Sequence, residues 1–151
     1  AKSKKDMVRA AKAAFDRGDL DVAIAHYTEA LDLCPGLAEA FAGRGGAKLR
    51  QGLCTEAIAD LDRALELEPD SLYALRDRGQ ARLEAGDPMG AIGDFNRKLA
   101  LAPADGRALC GRGQAKFESG DRAGAIVDFD LACKLGYPGS KELLNKARAG
   151  K

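Results

Sequence analysis

The residues best placed to do chemistry in this sequence are two charged series that repeat at a fixed interval. Both series step by 34 residues: arginine at Arg44, Arg78 and Arg112, and aspartate at Asp60, Asp94 and Asp128. Three arginines in phase could bind a polyanion or phosphorylated peptides. Alternatively, each arginine pairs with an aspartate, because a partly buried guanidinium needs a carboxylate partner. Equal numbers, opposite signs and a common phase favour pairing, so we predict that the arginine series is structural.

No other residues form a catalytic or metal-binding pattern. The single histidine, His26, has no second ligand in register, and the four cysteines fall at different positions of the repeat without a CxxC pair: Cys34, Cys54, Cys110 and Cys133. There is no readable Ser/His/Asp arrangement, paired acid site or phosphate-binding loop. We therefore predict a protein that is not an enzyme and uses neither metal nor cofactor, in a reducing compartment.

The elements that position these residues follow the same interval of 34. It relates glycines, alanines, large apolar residues and prolines: Gly18, Gly52, Gly86 and Gly120; Ala23, Ala57, Ala91 and Ala125; Tyr27, Leu61, Phe95 and Phe129; Pro35, Pro69 and Pro103. Such a period is typical of a helical repeat array, in which each unit buries its apolar face against its neighbours. In the first unit we expect a helix from Lys5 to about Arg17, a C′ glycine with positive φ at Gly18, and a second helix ending before Pro35.

Glycines at the middle of the first helix of each later unit need a packing reason, since each costs roughly 1 kcal/mol relative to alanine. They lie opposite large side chains in the helix pair: Gly45 with Leu61, Gly79 with Phe95, and Gly113 with Phe129. We predict that glycine leaves room for the large residue. A second basic series, Lys48, Arg82 and Lys116, should cover apolar surface with its stems while its charges reach water.

The units resemble tetratricopeptide repeats, whose pattern is a small residue, alanine, an aromatic, alanine and proline at fixed positions. The first three copies read Ala11, Ala23, Tyr27, Ala30, Pro35; Gly45, Ala57, Leu61, Ala64, Pro69; and Gly79, Ala91, Phe95, Lys98, Pro103. The fourth reads Gly113, Ala125, Phe129, Ala132, and its proline is displaced by one position to Pro138. The resemblance implies an all-α fold, a right-handed α-solenoid of antiparallel helix pairs. We expect one domain over 1–151, with repeats at about 4–37, 38–71, 72–105 and 106–137. A capping helix should follow at about 140–149, with Ser140 as its N-cap.

The third unit departs from this pattern in its second helix. Gly90 and Gly93 weaken that helix, and Lys98 stands where the other units have alanine. Two interpretations stay open: the lysine extends to solvent and the helix merely has a weaker intrinsic propensity, or this helix is the loosest in the array, where the groove can adjust to a ligand.

Composition limits the partners and the compartment. A net charge of +1 gives no bulk attraction to nucleic acid, and no apolar run approaches a membrane span. The chain begins at Ala1 rather than methionine, so a leader could have been removed. We predict a soluble protein, cytoplasmic rather than exported.

The resemblance also implies which residues face a ligand in the groove formed by the first helices. In this chain they are Lys5, Lys12, Glu39, Arg50, Tyr73, Arg76, Gln80, Arg107, Cys110 and Gln114. Chaperone-binding members resemble one another in a clamp for a carboxylate tail. Here the corresponding positions hold Val8, Lys12, Gly43, Tyr73 and Asp77, so we do not expect Hsp70 or Hsp90 tails as ligands.

These features predict a scaffold or adaptor that binds a protein or peptide partner in its groove. Two alternatives stay open: a module that self-associates into a homo-oligomer, and a regulatory domain of a larger protein. Light scattering separates the first alternative from a monomeric adaptor.

Overall fold

The computed structural model describes residues 3–150, which form helices joined by short turns and contain no strand. The helices in chain order are α1 (Lys4–Asp16), α2 (Leu20–Leu33), α3 (Ala38–Arg50), α4 (Cys54–Leu67), α5 (Leu72–Glu84), α6 (Pro88–Leu101), α7 (Gly106–Glu118), α8 (Arg122–Lys134) and α9 (Ser140–Ala149). The all-α prediction is confirmed. The chain divides into two compact units between Ala81 and Arg82. That they form one domain stays a prediction.

In the first unit, α1 packs on α2, α2 on α3 and α3 on α4; in the second, α6 packs on α7, α7 on α8 and α8 on α9. The turn glycines adopt the positive φ that ends a helix at low cost, and Gly18, at +84°, confirms the expectation for the first unit. Helix α1 starts at Lys4 rather than Lys5. Ser3 and Asp6 form a capping box there, each side chain bonding the other's backbone N–H.

The predicted small–large packing is present in both units. A Cβ at Gly45 would lie 2.7 Å from Leu61 Cγ, and one at Gly113 would lie 2.6 Å from Phe129 Cε1. Leu61 is fully buried and Phe129 is almost so. Only glycine therefore lets these helix pairs approach at the observed distance.

The arginine series is structural, as predicted. Arg44 donates from Nε and Nη2 to both oxygens of Asp60, at 2.9 and 2.8 Å, and Arg112 does the same to Asp128 at the same distances. Each arginine also reaches a residue 16 positions earlier in the sequence. Arg44 Nη1 bonds Thr28, Arg112 Nη1 bonds Asn96, and Arg78 Nη1 bonds Asp62 at 3.0 Å. The Arg44 and Arg112 guanidinium groups therefore tie together the second helices of consecutive repeats.

The prediction that the second basic series reaches water is wrong. Lys48 Nζ lies 3.1 Å from Asp60 Oδ2, and Lys116 Nζ lies 3.2 Å from Asp128 Oδ2. Arg82 Nη1 lies 3.1 Å from Asp94 Oδ2 in the second unit. The aspartates are buried, and a buried carboxylate attracts every cation within reach, so these side chains turn inward.

Lys98 does not extend to solvent either. The residue is 7% exposed, and its ammonium binds Asp105. Asp105 also accepts the Ala108 N–H at 3.0 Å as the N-cap of α7. Burial alone would raise the pKa of the Asp105 carboxyl, but the bonds from Lys98 and from backbone N–H groups hold its pKa below the ordinary value. This lysine thus fastens α6 to the start of α7; that α6 is the loosest helix stays a prediction.

The last helix covers the second unit much as expected. Leu144 and Ala147 are buried against α8, and Arg122 donates to the backbone carbonyls of Ala147 and Arg148. Ser140 is not the N-cap. That position is Gly139, at φ +81°, and the Ser140 hydroxyl is buried and donates to the Tyr137 carbonyl at 2.6 Å.

Candidate functional site

A groove of about 590 Å³ lies entirely within the first unit. Side chains from α1, α2, α3 and α5, from the last turn of α4 and from the turn that follows it line the groove, and charged residues lie among apolar ones. The lining comprises Lys12, Phe15, Asp16, Tyr27, Ala38, Glu39, Ala42, Gly43, Ala64, Glu68, Ser71 and Tyr73. An open, mostly apolar depression with a few polar groups is the usual form of a binding site.

Two glycines of α3 make room for the aromatic side chains of the groove. A Cβ at Gly43 would lie 2.2 Å from Tyr27 Cζ, and one at Gly46 would lie 2.7 Å from the Tyr73 hydroxyl oxygen. Any larger residue on this face of α3 would displace Tyr27 or Tyr73. The glycines of the α3 segment AGRGGA therefore leave the space that both the groove and the core require.

Arginines stack on two of the aromatic rings. The Arg50 guanidinium lies 4.7 Å from the Phe15 ring centroid, and Arg76 lies 4.7 Å from the Tyr73 centroid. Arg76 Nε also donates to Asp77 at 3.1 Å. Burial, and then the nearby Asp77 carboxylate, raises the pKa of Tyr73, whose hydroxyl hydrogen bonds that carboxylate. These contacts fix Tyr73 in place, although the residue is 40% exposed.

Tyr27 differs, because its hydroxyl has no hydrogen-bond partner among residues 3–150. The residue is 4% exposed and lines the groove. Burial, followed by the influence of Tyr73, Glu39 and Asp16, raises the pKa of Tyr27 to about 12. The hydroxyl therefore stays protonated and can donate a hydrogen bond to a group that enters the groove.

The carboxylates of the groove are weakly neutralised. Lys12 binds Glu39, but the two side chains are 58% and 50% exposed, and such surface pairs contribute little. Asp16 and Glu68 make no ion pair with any residue that the structure describes. In contrast, Asp60 in the core of the same unit is bound by two cations.

A second depression on α1 adjoins the groove and carries the opposite charge. Lys4, Lys5 and Arg9 line it together with Val8 and Leu37, and it shares Lys12 and Glu39 with the groove. The Lys12–Glu39 pair thus marks the border between a basic surface and an acidic one.

The structure places five of the sequence-predicted site residues in or beside the groove: Lys12, Glu39, Arg50, Tyr73 and Arg76. Lys5 lies in the adjoining basic depression, and Gln80 is half-buried on α5. In the second unit, Arg107 borders a shallow depression with Tyr137 and Gln114 is half-buried. Cys110 is 5% exposed and packs in the core, where burial raises the pKa of its thiol to about 11.

Sequence reasoning missed three residues of the groove, namely Phe15, Asp16 and Glu68. Phe15 lies at an apolar position of α1, where a core residue is expected. Asp16 ends α1 in register with Arg50, Glu84 and Glu118, whereas Glu68 follows α4 and belongs to no repeating series. The available signal was that Asp16 is in register with Arg50, which was expected on the ligand-facing side.

Comparison with known proteins agrees with the helix pairs and the repeat length. Two family models described as tetratricopeptide repeat match the chain, one over residues 8–71 and the other over residues 44–110. The chain belongs to the tetratricopeptide-repeat family. No curated protein matches the sequence.

Solved tetratricopeptide-repeat structures share the fold. The crystal structure of MamA protein has a TM-score of 0.88 at 22% identity, covering 97% of this chain and 81% of its own. A tetratricopeptide repeat protein from Parabacteroides merdae ATCC 43184 has a TM-score of 0.81 at 23% identity, covering 99% and 61%. YrrB, described as a TPR protein with an unusual peptide-binding site, has a TM-score of 0.83 at 20% identity, covering 95% and 75%. At these identities the likeness establishes the solenoid fold of antiparallel helix pairs.

Within residues 3–150, no helix combines the length and apolar character needed to cross a membrane. The same residues contain no cluster of three or more side chains suited to hold a metal ion.

Proposed function

We propose that this chain is an interaction scaffold that binds a partner's extended peptide segment in the groove of its first unit. The tetratricopeptide-repeat fold supports a role in protein interaction. We place the binding site in this groove. The observation that supports the proposal is the pair of aromatic side chains, Tyr27 and Tyr73, for which Gly43 and Gly46 leave room.

The groove has the features that peptide recognition needs. Tyr73 is held by Arg76 and Asp77 yet presents 40% of its surface, so it can act as an anchor without losing much freedom on binding. The free hydroxyl of Tyr27 can bond the backbone of an extended segment. YrrB, which shares the fold, is described as having a peptide-binding site, and this supports the same class of ligand here.

Selection from a library of phage-displayed random peptides tests the proposal. Selected sequences are resynthesised, labelled with fluorescein and titrated by fluorescence anisotropy. Tyr73→Ala should weaken binding by about tenfold or more, as expected for a central aromatic anchor. Leu72→Ala is the matched control, because Leu72 is the neighbouring residue, is 41% exposed and does not line the groove. Selection of no peptide, or equal affinity for wild type and Tyr73→Ala, would refute the proposal.

A second candidate function is self-association through α8. Val127 and Leu131 lie one turn apart on this helix and are 58% and 42% exposed, which leaves an apolar stripe on the second unit. Light scattering over a range of concentrations tests it. A constant monomer mass, or the same association in Val127→Ser and Leu131→Ser, would exclude this role for the stripe.

A further inference from the structure

The charges of the groove suggest what kind of peptide it takes. Resting on the proposed function, we infer that the groove of the first unit selects a segment that places a lysine or arginine side chain between Asp16, Glu39 and Glu68. The ligand is thus opposite in charge to a carboxylate tail.

The carboxylates of the groove are not fully paired with cations. The groove lining contains three carboxylates and one ammonium group, and Asp16 and Glu68 have no ionic partner among the described residues. Arg50 and Arg76 lie nearby but stack on Phe15 and Tyr73, and Arg76 is also bound to Asp77. When Arg50, Arg76 and Asp77 are included, four carboxylates lie beside three cationic side chains. One cationic side chain from the ligand would therefore make the local net charge zero.

The Tyr27 hydroxyl can donate a hydrogen bond to the ligand beside these carboxylates. It belongs to a residue 4% exposed, lines the groove and has no hydrogen-bond partner within residues 3–150. Both Glu39 and Asp16 act on it electrostatically. When the Tyr27 hydroxyl donates to a backbone carbonyl of the ligand, the ligand side chain next to that carbonyl lies close to Glu39 and Asp16. A cation there gains charge-assisted hydrogen bonds to them.

Lys12 already binds one of these carboxylates, Glu39. Its ammonium binds Glu39 at the edge of the groove, as a ligand ammonium would. Because both side chains are about half exposed, the pair is easily exchanged for an incoming cation. Beyond Lys12 the surface is basic, with Lys4, Lys5 and Arg9, and this disfavours a polybasic segment. The groove therefore suits one isolated cationic residue in an otherwise uncharged stretch.

Three synthetic peptides test this inference. Each is fluorescein-labelled, about ten residues long so that it spans the groove when extended, and made of leucine, alanine and serine around one central residue. The central residue is lysine, glutamine or glutamate. We expect the lysine peptide to bind about tenfold or more tightly than the glutamate peptide, the gain typical of charge-assisted hydrogen bonds. Raising the salt concentration should reduce the difference.

Variants of the chain separate the contributions. The double change Asp16→Asn with Glu68→Gln should remove most of the preference for lysine, and both positions are exposed enough to preserve the fold. Lys12→Ala should instead strengthen lysine-peptide binding by about two- to fivefold, because it frees Glu39. Leu72→Ala serves as the unaffected control, and circular dichroism verifies folding of each variant.

The outcomes distinguish the two proposals. If the glutamine or glutamate peptide binds as tightly as the lysine peptide, and Tyr73→Ala weakens all of them, the charge preference is wrong and the groove remains the docking site. If the preference for lysine survives in the Asp16→Asn, Glu68→Gln variant, these carboxylates do not select the ligand. If no peptide of any charge binds, both proposals fail.

Discussion

Replacement of Asp128 should strongly lower the free energy of unfolding of the second unit. It is 1% exposed and accepts three bonds from cations: Arg112 Nε at 2.9 Å, Arg112 Nη2 at 2.8 Å and Lys116 Nζ at 3.2 Å. Replacing it with alanine leaves two side chains that are only 21% and 22% exposed with no carboxylate between them. Neither cation can reach water fully without disturbing the helix pair.

The expected magnitude follows from that geometry. Removing one partner of a buried ion pair typically costs 3 to 5 kcal/mol, so about 4 kcal/mol is expected for Asp128→Ala. A native domain is stable by about 5 to 15 kcal/mol, so this change would remove a large part of the free energy of unfolding. Asp130 gives the matched control. It pairs with Lys134 at 3.1 Å on the same helix, but the side chains are 38% and 71% exposed, and its loss should cost less than about 1 kcal/mol.

Urea denaturation followed by far-ultraviolet circular dichroism measures both variants. The triple variant Arg112→Met, Lys116→Met, Asp128→Leu adds a second test, because replacing the whole buried ionic group with apolar residues should cost less than removing its carboxylate alone. An Asp128→Ala variant that lost no more stability than Asp130→Ala, or a triple variant less stable than Asp128→Ala alone, would contradict this prediction.

Three further predictions concern the second unit. Gly93→Ala should stabilise the protein by about 1 kcal/mol in urea denaturation, because Gly93 is exposed in α6 and its added Cβ meets nothing within 4 Å. Gly90→Ala should give no such gain, since its Cβ would lie 2.1 Å from a cap oxygen; equal gains would contradict this. Asp105→Asn should lower the free energy of unfolding by about 3 kcal/mol near pH 7, because it leaves Lys98 buried without a carboxylate. Since the pKa of Asp105 is lower in the folded state, this difference should shrink as pH falls below the unfolded value of 3.8, and a difference independent of pH would count against the ion pair. Cys110 should resist alkylation by iodoacetamide at pH 8 until urea unfolds the chain, because its pKa is about 11; rapid labelling in the native state would show that the thiol is accessible.

Much of the fold could be predicted because the same residue pattern recurs in four repeats. The pairing of Gly45 with Leu61 and of Arg112 with Asp128 follows from register alone, since both partners recur at one interval. The direction of Lys116 and Lys98 could not be predicted in this way. Each lysine side chain could have extended to solvent instead. Which direction it takes depends on the distance between its ammonium and a buried carboxylate, and the sequence does not give that distance.

The site was only partly predictable for a related reason. Lys12, Glu39 and Tyr73 were expected on the ligand-facing side and do line the groove. Asp16 and Glu68 were not expected: Glu68 has no counterpart in the other repeats, and Asp16, in register with Arg50, Glu84 and Glu118, lines the groove only because ends of helices from different repeats lie close together. Cys110 shows the opposite error, since a ligand-facing position in the repeat pattern is in this chain a core position.

The central claim is that a cationic segment binds in the groove of the first unit, and a nuclear magnetic resonance titration tests it most directly. The chain is labelled with ¹⁵N and titrated with the lysine peptide, and shifts of backbone amides are mapped along the sequence. The largest changes should occur at and around Asp16, Gly43 and Tyr73, and the glutamate peptide should not produce them. Changes confined to residues 82–150, or equal changes with the glutamate peptide, would contradict it.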